Sequence, residues 1–146
     1  MQSTLNDFKS TLDHALAQLA QITDTDSEQV VSPEKWSKKQ VLGHLIDSAA
    51  NNHQRFVRAQ LGQELVFPGY EQERWVAVQY YQGESWNALV ALWQDYNRHL
   101  LHVMARVPSD QLSRQCVIGD SNPVTLEFLM KDYVVHLKHH LEQILG

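Results

Sequence analysis

Residues 132–144 read DYVVHLKHHLEQI and place three histidines within one amphipathic stretch. Apolar residues recur there at steps of three and four, which predicts a helix over Thr125–Leu145. His136 and His140 stand four residues apart, so their imidazoles lie on one face of this helix, one turn apart. Two ligands of a single first-row metal ion need this arrangement.

The three histidines differ in their position relative to the apolar stripe of this helix. At about 100 degrees per residue, the apolar stripe centres between Leu137 and Ile144, with His140 inside its edge and His136 beside His140. His139 projects well outside the stripe. The phase therefore favours His136 with His140 as a ligand pair. Histidines at the edge of a core are also commonly packing residues, so the spacing alone leaves a structural role open.

Three further amphipathic helices are predicted upstream, over residues 4–22, 37–61 and 85–107. Four apolar stripes in one small chain predict an all-α, four-helix bundle. Residues 23–33 are polar and aperiodic and predict a linker. Residues 63–83 are rich in aromatic side chains and predict a long, ordered crossover loop after helix two. A brief extended piece is expected near Cys116, before the last helix.

Length and charge narrow the class of protein. The 146 residues predict one domain over 1–146, and the net charge of −5 offers no basic surface for nucleic acid. Charged residues interrupt every apolar run, so no membrane span is expected. The single cysteine excludes an internal disulfide and a thiolate zinc cluster, and no signal segment is evident, so we expect a cytoplasmic protein.

One face of helix two carries a polar column along the flank of its apolar stripe. Its members are His44, Ser48, Asn51 and Arg55. His53 points about 180 degrees from His44, so these two cannot serve one site. On helix three, His99 and His102 group with charged residues and are expected to face solvent. Neither a Glu-x-x-His di-iron motif nor a His-Glu-x-x-His zinc motif occurs in the chain.

Three segments resemble the DinB-like family of metal-binding bundles. They are WSKKQVLGHLIDSAANNHQRFVRAQ (36–60), FPGYEQERWV (67–76) and TLEFLMKDYVVHLKHHLEQI (125–144). The resemblance implies a four-helix bundle that holds a divalent metal ion, usually zinc or nickel, on three histidines. By position these are His44, His136 and His140.

The resemblance also implies a choice of chemistry. Three neutral imidazoles leave coordination positions open, as in catalytic sites. Some family members transfer a low-molecular-weight thiol or use one in isomerisation, and others are regarded as metal-dependent hydrolases. We therefore expect an enzyme acting on a small-molecule substrate, with a thiol as one candidate cosubstrate. A noncatalytic bundle that binds the metal or a small ligand is the alternative.

Further residues are candidates for roles around the metal. Asp47 and Asp132 each lie within a turn of a ligand histidine and are expected to accept its second N–H, or else to be exposed charges. Ser48, Asn51 and Arg55 are expected to line the substrate pocket, although a salt bridge within the bundle is the alternative for Arg55.

Two crossover aromatics, Tyr70 and Trp75, are expected to cap the mouth of the pocket or simply to close the end of the bundle. A homodimer is compatible with the sequence, but no surface for it is evident.

Overall fold

The structure, a computed structural model, describes residues 1–62 and 65–146. In chain order its elements are α1 (Gln2–Leu19), α2 (Asp24–Glu28), α3 (Lys38–Leu61), β1 (Val66–Phe67), α4 (Gln72–Gln79), α5 (Trp86–Met104), β2 (Gln115–Ile118), β3 (Val124–Thr125) and α6 (Leu126–Leu145). The long helices α1 and α3 each pack against both α5 and α6, which puts α1 and α3 at opposite corners of a bundle. The predicted all-α, four-helix bundle is confirmed. No described helix combines the length and the apolar character needed to cross a bilayer.

Helix α3 is the central element of the bundle. Ser37 and Gln40 form a reciprocal capping box at its start, and Gly62 ends it in the left-handed conformation with φ of 69°. Residues 41–49 are buried without interruption, because α2 and α4 cover the surface that α5 and α6 leave open. A helix enclosed in this way holds its side chains in fixed positions, including His44.

The predicted linker at residues 23–33 instead contains α2. The Asp24 and Glu28 carboxylates lie 3.2 and 2.9 Å from the buried Nζ of Lys39, and Trp86 N–H donates to Asp24 at 2.7 Å. Burial lowers the pKa of Lys39, but the bonds to these carboxylates outweigh it and raise the pKa overall. The short helix depends on these tertiary contacts, which hydrophobic periodicity does not reveal.

The described part of the crossover after α3, residues 65–83, is ordered, as predicted, and it includes β1, α4 and a 3₁₀ turn at Tyr81–Gly83. Its first two residues, 63 and 64, lie outside the described residues. Strand β1 pairs in parallel with β2, and β2 pairs antiparallel with β3. Strand β2 confirms the brief extended piece predicted near Cys116. Because β3 leads directly into α6, this small sheet fixes the crossover beside the start of α6.

The 3₁₀ turn packs tightly against α3 at Gly43. A Cβ atom at this position would overlap the ring of Tyr81, with the ring Cγ only 2.5 Å away. The Tyr81 hydroxyl donates to Asp47 Oδ1 at 2.7 Å, one turn further along α3. The missing side chain of Gly43 therefore lets the crossover lie directly on α3 beside His44.

Candidate metal centre

Three histidines from α3 and α6 converge inside the bundle. His44, His136 and His140 each present one ring nitrogen, and these nitrogens all lie within 4.8 Å of one another. The Nε2 atoms of His44 and His136 are 3.1 Å apart. Two nitrogen ligands of a tetrahedral zinc ion stand about 3.3 Å apart, given Zn–N bonds near 2.0 Å. The three residues could therefore hold one metal ion, and they are those that the resemblance implied.

The protonation states of two of these residues suit metal binding. Burial, followed by the nearby His136 and His140, lowers the pKa of His44 to about 4. Burial, followed by His140 and His139, lowers the pKa of His136 to about 4. Both imidazoles are therefore neutral at pH 7 and keep the lone pair that a metal ligand needs.

The Nδ1 atoms of the two α6 histidines, His136 and His140, each face a polar side chain. His136 Nδ1 lies 3.5 Å from Ser48 Oγ, and His140 Nδ1 lies 2.8 Å from Gln143 Oε1. Because an amide oxygen only accepts, His140 Nδ1 is the donor of this hydrogen bond, so the neutral form of the ring would offer its lone pair at Nε2. Sequence reasoning missed Gln143, although its position three residues after His140 on one helix was a usable signal.

Asp47 is buried beside His44, but its hydrogen bonds run to the crossover. Its Oδ1 accepts from the Tyr81 hydroxyl and from Gln79 Nε2, both at 2.7 Å. Burial raises the pKa of Asp47, and these two bonds lower it in part. Neither Asp47 Oδ2 nor His44 Nδ1 has a hydrogen-bond partner among the described residues. The predicted bond between them is thus not formed here, and this role of Asp47 stays a prediction.

Asp132 is exposed at the surface of α6. Within the described ranges it makes no hydrogen bond to His136, whose Nδ1 faces Ser48 instead. Its predicted role as an acceptor for the ligand histidine therefore also stays a prediction.

A cavity of about 290 Å³ opens beside His136. It is lined by Ser48, Asn52, Arg55, Tyr70, Ile118, Ser121, Asn122, Val124, Phe128, Leu129, Asp132, Tyr133 and His136. Among the predicted pocket residues, Ser48, Arg55 and Tyr70 belong to this lining. The other two are not among the lining residues: Asn51 donates to the Asp47 carbonyl at 2.9 Å, and the Trp75 ring packs 5.2 Å from that of Tyr70.

A second cavity, of about 550 Å³, reaches the cluster at His140. Trp36 contributes to its wall and also packs 5.2 Å from the ring of His44. The histidine cluster therefore borders open space at two of its members. Sequence reasoning does not anticipate this second opening, because it predicts only a linker and the entry of a helix over residues 31–36.

The remaining histidines of α3 and α5 lie away from the cluster. His53 Nδ1 is 3.0 Å from the Tyr96 hydroxyl of α5, so its ring points away from His44, as predicted. His99 and His102 are exposed, which confirms their predicted solvent-facing positions.

Comparison with known proteins places the fold and the family. The "Putative metal-dependent hydrolase OB0413" of Oceanobacillus iheyensis is 21% identical over 123 residues, covering 84% of this chain and 70% of the relative. YfiT from Bacillus subtilis, described as a probable metal-dependent hydrolase with an unusual four-helix bundle topology, superposes with a TM-score of 0.81 at 23% identity. That match covers 99% of this chain and 85% of YfiT.

A mycothiol-dependent maleylpyruvate isomerase also shares the fold, with a TM-score of 0.81 at 16% identity. The match covers 99% of this chain but only 60% of the isomerase. Both structural matches have low identity, so they show a common architecture. Residues 7–144 match the family model of the DinB superfamily. The chain therefore belongs to the DinB superfamily.

Proposed function

We propose that the chain is a metal-dependent enzyme acting on small molecules, with one divalent metal ion held by His44, His136 and His140. The observation that carries this proposal is the convergence of three imidazole nitrogens within 4.8 Å between two helices, with His44 buried and the other two histidines partly buried. Zinc and nickel are the metals we expect, because imidazole suits both.

The donor set supports a catalytic rather than a purely structural role. Three imidazole ligands add no negative charge, and two cavities border the cluster. When bound there, a divalent metal supplies a Lewis acid that lowers the pKa of water or of a thiol. Structural zinc sites are instead closed by four protein ligands.

The chain's own residues keep this site in place. Gln143 fixes the proton on His140 Nδ1, and Ser48 lies against His136 Nδ1. Burial keeps His44 and His136 unprotonated at neutral pH by lowering the pKa of each imidazole. Tyr81 and Gln79 hold Asp47 and thereby the crossover against α3. These contacts position the imidazoles of His136 and His140 and hold the crossover beside His44.

Hydrolysis is the reaction we place first, because OB0413 and YfiT are both described as metal-dependent hydrolases. Transfer of a low-molecular-weight thiol is the second candidate, supported by the shared fold of the mycothiol-dependent isomerase. A noncatalytic binding bundle is the remaining alternative.

A turnover assay on untagged, zinc-loaded or nickel-loaded protein tests the proposal. Activated esters such as 4-nitrophenyl acetate report hydrolysis, and glutathione or cysteine with 1-chloro-2,4-dinitrobenzene reports thiol transfer. We expect the wild-type protein to turn over one of these two sets of substrates. This turnover should be absent in His44→Ala, and in the wild type it should be lost on chelation and return when metal is added. His139→Ala is the matched control and should retain activity. Full metal occupancy without turnover in a broad panel would favour the binding bundle.

A further inference from the structure

Arg55 lines the cavity beside His136, and the proposed metal site gives it no role. Its Nη2 donates to the Pro68 carbonyl at 3.4 Å, a long bond and, among the described residues, the only hydrogen bond that the guanidinium makes. Among residues 1–62 and 65–146, no carboxylate forms a salt bridge with it. The internal salt bridge considered for Arg55 from the sequence is therefore not found in the described part of the chain.

The surroundings of Arg55 make an unpaired cation unfavourable. Its side chain is half-buried, and burial lowers the pKa of the guanidinium, although the nearby Tyr70 opposes this shift. Apolar side chains of Ile118, Val124 and Leu129 form part of the same cavity wall. Withdrawing a cation from water is costly unless an anion or several hydrogen bonds compensate.

The other ionisable groups of the cavity do not supply that anion. Asp132 is exposed and forms no salt bridge among the described residues, and the His136 imidazole cannot carry a negative charge. Burial also raises the pKa of the Tyr70 phenol, which therefore stays protonated and able to donate a hydrogen bond. The cavity thus combines one poorly compensated cation with a neutral donor near it.

From these contacts we propose that the cavity beside His136 selects small carboxylate compounds, with Arg55 binding the carboxylate and the rest of the molecule reaching toward the histidine cluster. This inference rests on the proposed function, since it names the substrate class of that site. A guanidinium matches a carboxylate with two parallel hydrogen bonds, and the apolar wall suits a short hydrocarbon body. A volume of about 290 Å³ accommodates only a small compound.

Titrations with hexanoate and the uncharged hexanamide test this selection. Binding is followed by chemical-shift changes in ¹⁵N-labelled protein, both zinc-loaded and chelator-treated, because hexanoate could also bind zinc directly. We expect hexanoate to bind about tenfold or more tightly than hexanamide in both preparations. Arg55→Gln should abolish this preference and Arg55→Lys should retain part of it. Arg58→Gln, which removes an exposed arginine on the same helix, should leave the preference unchanged.

Several outcomes would overturn the inference. These are equal binding of the two compounds, a preference that survives Arg55→Gln, or a preference seen only with zinc present. The result is separable from that of the proposed function. If the chain binds no metal but Arg55 still selects hexanoate, the enzyme proposal fails and the anion site stands. If metal binds and turnover depends on His44 without carboxylate selection, only this inference fails.

Discussion

The close contact between Gly43 and Tyr81 gives a quantitative test of how the crossover lies on the site. In Gly43→Ala, the added Cβ would overlap the Tyr81 ring, where ordinary contacts begin at 3.4 Å. Alanine gains about 1 kcal/mol over glycine in a helix interior. Overpacking costs about 1–3 kcal/mol, and loss of the Tyr81 bond to the buried Asp47 costs about 1–3 kcal/mol more.

The expected net result is a loss of about 3 kcal/mol in the free energy of unfolding, or roughly 6–12 °C in melting temperature for a chain of this size. Urea and thermal unfolding of the wild-type and variant proteins measure it. Gly69→Ala is the matched control, because a Cβ there has no neighbour within 4 Å, and its stability should barely change.

A double mutant decides whether the Tyr81 ring is the cause. In a Tyr81→Ala background the obstruction is gone, so Gly43→Ala should be neutral or stabilising by up to about 1 kcal/mol. The reasoning is refuted if Gly43→Ala is as stable as the wild type. It is also refuted if the substitution costs the same with and without the Tyr81 ring.

Two further predictions concern titratable groups. In metal-free protein, the pKa of His44 is about 4 when folded, against an ordinary value of 6.5, so the unfolded chain takes up its proton first as pH falls. The free energy of unfolding should therefore drop between pH 6.5 and 4, with His44 contributing about 2–3 kcal/mol by pH 4.5. Urea unfolding at pH 7 and pH 4.5 measures this loss, which should be smaller in His44→Gln than in the wild type by the contribution of His44. The same pH dependence of the free energy of unfolding in both proteins would contradict the prediction. Cys116 is fully buried, and burial raises the pKa of its thiol. The thiol reagent 5,5′-dithiobis(2-nitrobenzoic acid) at pH 7.5 should therefore label Cys116 only when the protein unfolds. Rapid labelling of the folded protein would contradict the buried position of Cys116.

The bundle was predictable because its long helices carry apolar stripes that periodicity reveals. The same periodicity set the phase of α6, which distinguished His140 from His139, and the phase of α3, which separated His44 from His53. The contact of His44 with His136, 92 positions later in the chain, forms only in the tertiary structure. Hydrophobic periodicity could not predict this contact, whereas the family resemblance implied it.

Contacts made by long polar side chains across elements were not predictable. Helix α2 depends on Lys39, whose burial is invisible in a local pattern, and Asp47 is engaged by Tyr81 from a segment that has no regular periodicity. The single-domain organisation, the homodimer, the choice between zinc and nickel and the thiol cosubstrate remain predictions.

The most direct test of the central claim is the zinc content of untagged protein after equilibration with zinc and removal of excess, measured by inductively coupled plasma mass spectrometry. His140→Ala and His139→Ala form the matched pair, since the two histidines are neighbours on α6 and only His140 belongs to the cluster. We expect about one zinc per chain in the wild type and in His139→Ala, and little in His140→Ala. Equal zinc in the two variants, or no zinc in the wild type, would contradict a metal centre at His44, His136 and His140.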